Sequence, residues 1–179
     1  MEINHYEFKY GEFGETLGVQ INLKGYDVLR FNNISKGPAF TIEERQKLKL
    51  SGFLPPRVKT LDDQIRSCLA TVRGKTSDID RYIYLRNLYD RNVVLFNAVV
   101  ASNVTEFLPI IYTPTVGLAC QQYSKNFRGA NGIHFYPGNI DYAEFILRNY
   151  TDQAIRIAVV TDNQGILGIG DQGAGGIPI

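Results

Sequence analysis

The sequence predicts an α/β fold in which a helical N-terminal layer is followed by the start of a parallel sheet. Three observations predict it: strand-like alternation up to residue 34, capped amphipathic helices over 35–130, and strands alternating with helices over 131–179. The chain has 179 residues, 44% of them hydrophobic and 21% charged, so it can bury a core. We therefore expect three parts with these boundaries.

The first part, 1–34, predicts a hairpin. Tyr6, Phe8 and Tyr10 alternate with polar residues, and a second alternating run covers 17–23. Glycines separate the two runs, which is typical of a turn between antiparallel strands. We expect a strand and turn extension without chemistry of its own.

Capping pairs mark the helix starts of the second part and one helix start of the third. A Ser, Thr or Asp followed three residues later by an acidic residue satisfies free N–H groups at a helix N-terminus. The pairs are Thr41 with Glu44, Thr60 with Asp63, Ser77 with Asp80 and Asp141 with Glu144. The first helix is predicted to run to Leu50, one apolar helical stripe spans 77–100, and Thr115 is expected to cap a helix with Cys120 on its buried face.

Short apolar runs predict the strands of the sheet. Pro109–Tyr112 is expected to be a buried strand, and Ile133–Tyr136, Ile155–Val160 and Gly165–Gly170 are expected to follow in a βαβ arrangement. Tyr112 would then lie at a strand end, where α/β proteins bind ligands. On pattern alone, a core or structural tyrosine is the favoured interpretation of this position.

Composition excludes several classes of protein. Lys and Arg number 19 against 18 Asp and Glu, which argues against a nucleic-acid partner or a polybasic membrane-surface protein. No apolar run approaches the ~20 residues of a membrane span, and the charged N-terminal residues do not resemble a signal peptide. Cys68 and Cys120 are too few for a disulfide framework or a zinc site, so we expect a cytoplasmic protein.

A glycine-rich segment near the C-terminal end is the strongest candidate for a binding loop. Residues 168–173 match G-x-G-x-x-G, but Gly175, Gly176 and Pro178 oppose the helix that would hold a pyrophosphate. A tight loop in close backbone contact with another segment is the favoured interpretation. We expect a site where this loop meets Tyr112.

The remaining polar residues are weaker candidates for a functional site. His5 and His134 lack ligand-like spacing, and Asp162 and Asp171 are single carboxylates beside glycines or turns. Arg91, in a predicted apolar helix, is either an anion partner or a surface side chain.

Five segments together are similar to the malic enzyme family, in the same order and from about residue 30 onward. They cover residues 33–45, 52–56, 82–86, 109–120 and 159–173. The most specific reads P-I-I-Y-T-P-T-V-G-L-A-C from Pro109 to Cys120. The chain thus resembles the N-terminal, amino-acid-dehydrogenase-like domain of that family.

The resemblance implies a function. Malic enzymes oxidise L-malate with NAD or NADP and decarboxylate the product on Mn²⁺ or Mg²⁺, giving pyruvate and CO₂. Their Y-T-P tyrosine matches Tyr112 and is the general acid that protonates the enol of pyruvate. The lysine base, the metal ligands and the nucleotide domain are expected beyond Ile179, so the isolated chain is predicted to be inactive and to bind no cofactor tightly. A homo-oligomer, commonly a dimer, is expected.

One departure from the family pattern bears on the substrate. Gly165 stands where many members carry a substrate-binding arginine, and malolactic enzymes resemble this sequence there. Gly165, Leu167 and Arg91 are the candidate substrate- or cofactor-binding residues. The leading hypothesis is an NAD-dependent malic enzyme; the alternatives are a malolactic enzyme, which retains NAD and forms lactate, and a non-catalytic dimerisation fragment.

Overall fold

The structure, a computed structural model, describes residues 5–127, 129–130, 132–149 and 157–179. The chain forms two compact units, Met1–Ile111 (unit 1) and Tyr112–Ile179 (unit 2). The boundaries expected at residues 34 and 130 remain predictions.

Unit 1 consists of a hairpin followed by helices. Its elements are β1 (Tyr6–Tyr10), β2 (Thr16–Ile21), α1 (Tyr26–Arg30), α2 (Ile42–Lys47), α3 (Leu61–Arg73), α4 (Asp78–Arg91), α5 (Val93–Ser102) and α6 (Val104–Ile111). Unit 2 is made of short helices and irregular segments. Its helices are α7 (Thr115–Gln121), α8 (Tyr123–Asn126) and α9 (Ala143–Arg148). Short 3₁₀ turns lie at Gly37–Ala39, Ile140–Tyr142 and Gly173–Gly176.

The predicted hairpin is confirmed. β1 and β2 pair antiparallel, with Phe8 opposite Val19, and the register shifts between Lys9 and Tyr10. Apolar side chains of the hairpin pack on a buried cluster. The cluster consists of Val28, Ile34, Phe40 and Leu50. The alternation in the sequence therefore reflects one packed and one solvated face.

The predicted helix starts at Thr41, Thr60 and Ser77 are confirmed. Thr41 and Thr60 each accept a hydrogen bond from the backbone three residues on, and the acidic residue there bonds back to the cap N–H. Ser77 accepts from the N–H of Asp80. The first helix ends at Lys47 rather than Leu50.

The single stripe expected over 77–100 is two helices. The Asn92 side chain accepts from Leu95 N at 2.9 Å and so begins α5 directly after α4 ends. An asparagine at this position is a strong N-cap, and the two helices can then pack against each other.

The strand expected at Pro109–Tyr112 is wrong, because residues up to Ile111 belong to α6. Phe107 and Ile110 are buried at helical spacing. The overlooked signal is Asn103 followed by Glu106 at the helix start. Glu106 N donates to Asn103 Oδ1 at 3.3 Å, and Asn103 Nδ2 donates to Glu106 Oε2 at 2.9 Å. An apolar run this short does not distinguish a strand from a buried helix.

An ion pair joins two helices of unit 1. Arg73 of α3 donates through Nε and Nη2 to the two carboxylate oxygens of Glu106 in α6, at 3.0 and 2.6 Å. Apolar side chains of α3 to α6 are buried in the same unit. They include Cys68, Val72, Leu85, Leu88, Leu95, Val99, Phe107 and Ile110.

Arg45 of α2 is buried, with 5% of its surface exposed, and is surrounded by main-chain oxygens. It donates to the carbonyls of Phe40 at 2.8 Å, Pro55 at 2.6 Å and Pro38 at 2.9 Å. The planar guanidinium group can address several acceptors at once. Arg45 thereby fixes the segments on either side of α2.

The parallel sheet expected in the C-terminal part is not formed by the described residues. Ile157, Val159 and Val160 are 85%, 86% and 92% exposed and lie outside any strand, as do residues 133–136. Residues 155–156 of the predicted run lie outside the described residues. Within 165–170 only an isolated bridge joins Ile166 and Gly170. A strand requires a hydrogen-bonded neighbour, and the described part of unit 2 supplies none.

Two helix starts in unit 2 also differ from expectation. Thr115 is the first residue of α7, and the preceding Pro114 occupies the cap position without a side-chain bond. The helix expected from Asp141 begins at Ala143, after a 3₁₀ turn, again without a side-chain cap.

Across the described residues, the structure contains no helix that combines the length and the apolar character needed to cross a membrane.

Candidate functional site

Tyr112 opens unit 2 in the turn that leads into α7. Its carbonyl oxygen accepts from Val116 N at 2.9 Å, and the next peptide bond, Thr113–Pro114, is cis. The side chain of Tyr112 is half-exposed, at 49%. The sequence placed this tyrosine at a strand end, whereas the structure places it directly after a helix. Tyr112 is therefore accessible to solvent, and the turn into α7 determines its position.

Helix α7 carries mostly small side chains and is largely buried. Val116, Ala119 and Cys120 are almost fully buried, and a Cβ at Gly117 would lie 3.4 Å from the Ile169 side chain. The small residues allow the segment around Ile169 to approach the helix. The expectation that Cys120 is a small core residue is confirmed, and burial raises the pKa of its thiol. A buried thiol of this kind is a poor nucleophile.

The glycine-rich loop, defined as Gly173–Gly176, lies against α7 and α8. A Cβ at Gly175 would be 2.8 Å from the carbonyl oxygen of Cys120 and 3.2 Å from Cβ of Tyr123. A distance below 3.0 Å to a backbone atom is not tolerated, so only glycine fits this contact. Close backbone contact is thus found at Gly175. It is not found within the 168–173 segment for which the sequence predicted it, because a Cβ at Gly168, Gly170 or Gly173 would meet nothing within 4 Å.

Asn163 fastens the glycine-rich loop to the preceding turn. Its Nδ2 donates to Gly173 O at 2.9 Å, and its carbonyl oxygen accepts from Gln172 N at 3.1 Å. Asn163 has a φ of 57°, a conformation that asparagine adopts more readily than most residues. Sequence reasoning did not single out Asn163. An Asn within a turn that precedes a glycine-rich segment was the available signal.

These contacts assemble one arrangement within unit 2. The turn of Tyr112 leads into α7, the glycine-rich loop lies against α7, and Asn163 closes the loop. The glycine-rich loop contacts α7, the helix that directly follows the tyrosine turn. A site at which Tyr112 itself meets the Gly165–Gly176 segment stays a prediction.

The other predicted binding residues are more loosely held. Gly165 is exposed with nothing within 4 Å of an added Cβ, and Leu167 is 95% exposed. The open space at Gly165 would admit a larger side chain. Arg91 lies in unit 1, where it is exposed at the end of α4 and donates from Nε to Asn87 O at 3.0 Å. Burial raises the pKa of nearby Tyr84 to about 12, and the positive charge of Arg91 opposes this rise.

The carboxylates beside the glycine-rich loop serve as turn acceptors. Asp162 accepts from Gln164 N at 3.0 Å, and Asp171 accepts from Gly173 N at 2.9 Å. Among the described ranges, no group of three or more His, Cys, Asp or Glu side chains could hold a metal ion. The described residues therefore do not fit a metal centre by themselves.

The G-x-G-x-x-G segment does not fit a dinucleotide site either. Gly168 and Gly170 have φ values of 77° and 83°, and the segment continues into the 3₁₀ turn Gly173–Gly176 rather than a helix. A helix N-terminus for the pyrophosphate is lacking in this stretch. The positive φ values agree with the tight turns of a glycine-rich loop, but the predicted close contact with another segment is not found at Gly168 or Gly170.

Besides Tyr112, unit 2 contains a tyrosine that the sequence did not single out, Tyr123 of α8. Its ring meets Phe127 edge-on at a centroid distance of 5.7 Å. Its hydroxyl is buried and finds no hydrogen-bond partner among the residues described. No sequence signal separates it from the other tyrosines, because the orphaned hydroxyl is visible only in three dimensions.

A family model decides the wider relationship. The model for the malic enzyme N-terminal domain matches residues 89–179, just over half of the chain. The chain belongs to the malic enzyme family. The resemblance found on the sequence is thereby confirmed, and the matched range contains Tyr112, α7 and the glycine-rich loop.

Individual malic enzymes are similar over most of the chain. An NAD-dependent malic enzyme of Shewanella frigidimarina is 44% identical over 155 residues, and an NADP-dependent malic enzyme of Anas platyrhynchos is 46% identical over 156 residues. A second avian enzyme, the NADP-dependent malic enzyme of Columba livia, is also 46% identical. Each match covers 87% of this chain and 28% of the relative. The chain therefore spans little more than a quarter of the length of these relatives.

Proposed function

We propose that the chain forms the N-terminal part of an enzyme that converts L-malate into pyruvate and CO₂, with reduction of NAD. The observation that carries this proposal is the match of residues 89–179 to the malic enzyme N-terminal domain. The similar proteins named here are NAD- or NADP-dependent malic enzymes. Their names favour oxidation of malate over malolactic conversion.

Tyr112 is the proposed general acid. It is half-exposed, it follows directly on α6, and its backbone is tied to Val116 at the start of α7. While the enol's own hydroxyl proton passes to the base outside this chain, the proton of the Tyr112 hydroxyl would pass to carbon 3 of the enol, which converts the enol into the ketone of pyruvate. A nearby cation would ease the loss of that proton. The proposed source is a lysine in a part of the enzyme outside this chain.

The nicotinamide and metal chemistry would also come from outside the described residues. NAD supplies hydride acceptance when bound, and Mn²⁺ or Mg²⁺ polarises the substrate oxygens. We propose two roles for the described residues. They position Tyr112, and they pack the glycine-rich loop against α7. The isolated chain is accordingly expected to be inert and to associate with copies of itself, and a cytoplasmic location fits its composition.

The test is Tyr112→Phe in the full-length enzyme. The substitution removes only the hydroxyl, so we expect turnover to fall roughly 10²–10⁴-fold, the usual contribution of a positioned proton donor. Exchange of the C3 protons of pyruvate with solvent should fall equally. Reduction of oxaloacetate, which does not need this proton, should persist.

The matched control is Tyr136→Phe, a tyrosine of unit 2 that is 61% exposed. It should leave turnover unchanged. Lactate and NADH are followed together: net NADH without lactate supports the malic reaction, whereas lactate without net NADH would overturn it in favour of the malolactic one. Full activity of Tyr112→Phe would remove Tyr112 from its role.

A further inference from the structure

The outer edge of β1 presents backbone groups that point away from β2. Asn22 N donates to His5 O at 3.0 Å, and Gly11 N donates to Glu15 O at 2.8 Å, so both ends of β1 bond towards β2 through odd-numbered residues. Backbone groups alternate in direction along a strand. The residues facing the outer edge are therefore Tyr6, Phe8 and Tyr10.

The register irregularity does not disturb this edge. Gly18 pairs with Lys9 and Thr16 pairs with Tyr10, so the extra residue, Leu17, lies in β2 and β1 is continuous. The sheet of the described residues has two strands only. Such a two-stranded ribbon is marginally stable by itself, and an open edge is a template for pairing.

The charges on β1 are ordered for pairing with a copy of the same strand. Glu7 and Lys9 are exposed and flank Phe8, and neither forms an ion pair within the described ranges. If two copies of β1 pair antiparallel around Phe8, each Glu7 lies opposite Lys9 of the other copy. A parallel pair in register would instead place like charges side by side, which is unfavourable.

The backbone geometry agrees with the same two-fold axis. An axis at Phe8 requires that Phe8 form a hydrogen-bonded pair with its copy, and its N–H and C=O groups do face outward. Glu7 and Lys9 then form the non-hydrogen-bonded pairs, in which side chains approach most closely. Tyr10, which is 62% exposed, comes opposite Tyr6 of the second copy.

We propose that the outer edge of β1 is an interface between two copies of this chain. The two hairpins join in a continuous four-stranded antiparallel sheet, with the two β1 strands at its centre. The interface is isologous, since the same five residues serve both copies. The outer edge of β2 offers no equivalent, because 16–21 contains no charged side chain.

The test reverses the charges singly and together. In sedimentation velocity over a concentration series, the unmodified chain should associate reversibly. Glu7→Lys and Lys9→Glu should each raise the dissociation constant of the pair roughly 10–30-fold, because two attractive cross-strand pairs become repulsive. The double variant Glu7→Lys, Lys9→Glu should restore association.

Mixing the two single variants gives the decisive experiment. The Glu7→Lys chain and the Lys9→Glu chain each carry like charges on β1, so they should associate with each other and not with themselves. Glu12→Lys and Lys24→Glu make the same charge changes at exposed positions outside β1 and should behave like the unmodified chain. Circular dichroism checks that every variant is folded.

Two results would overturn the proposal. The first is that the single reversals and the controls sediment alike at every concentration, as expected if the edge is covered by another segment or partner. The second is association of the mixed single variants no tighter than that of either alone.

Discussion

Replacement of Arg45 by methionine should strongly destabilise unit 1. Arg45→Met preserves much of the side-chain volume but removes the donors to Phe40, Pro55 and Pro38, three bonds of 2.6–2.9 Å. The Phe40 oxygen is buried, whereas the other two are partly accessible and can regain water. A charged donor contributes about 1.5–3 kcal/mol per bond when buried and less when accessible, so we expect a loss of about 3–5 kcal/mol.

Urea denaturation followed by far-ultraviolet circular dichroism measures this loss. The midpoint should fall while the slope against urea stays constant, because the surface exposed on unfolding does not change. Arg45→Lys should recover only part of the loss, since the single nitrogen of lysine cannot take the places of Nε, Nη1 and Nη2, each of which contacts a different carbonyl. Lys47→Met, an exposed residue of the same helix, is the control. If Arg45→Met lies within about 0.5 kcal/mol of that control, the carbonyl contacts do not stabilise the fold.

Two further predictions concern the glycine-rich loop and the ion pair of α3 and α6. Gly175→Ala places a Cβ 2.8 Å from the Cys120 carbonyl oxygen, so the loop must shift and turnover of the full-length enzyme should fall at least tenfold. The control is Gly129→Ala, whose Cβ meets nothing within 4 Å and which should not reduce turnover. The hydrogen bond from Arg73 lowers the pKa of Glu106, so its stabilising effect is present above the pKa of the unfolded chain and is lost as the pH falls through the lower folded value. Urea midpoints of the parent and Glu106→Gln should therefore differ near neutral pH and converge in acid; a constant difference would contradict this linkage.

Local signals in the sequence predicted the helix starts of unit 1 well. Thr41 and Thr60 begin helices through capping boxes that depend on only four consecutive residues each. The break at Asn92 and the helix at Val104–Ile111 were missed although the same kind of signal was present. In both cases, an apolar run was weighted above the polar residue that begins the helix.

The sheet was mispredicted for a different reason. Ile157, Val159 and Val160 have the composition of a buried strand, but a strand forms only when a neighbour bonds to it. That neighbour is a property of tertiary structure and not of the run itself. The same holds for the role of Asn163, which depends on the position of Gly173.

The candidate site was predicted in part. Turns were correctly expected in the glycine-rich segment, but close contact was found at Gly175, against α7, and not at Gly168 or Gly170. The identity of the partner, and the cis bond after Thr113, could not be read from composition or spacing. The roles of Tyr112, Gly165, Leu167 and Arg91 in substrate or cofactor binding remain predictions.

The N-caps of unit 1 show that the start of a helix and its packing against neighbours depend on different residues. From α2 to α6 each helix begins at a polar side chain that bonds to its own first turn. These residues are Thr41, Thr60, Ser77, Asn92 and Asn103. The start of each helix is thus determined by a residue of its own sequence. The angle at which the helix crosses its neighbours depends instead on the apolar side chains between them. Substitutions in the core should therefore tilt or slide whole helices and leave their first residues unchanged.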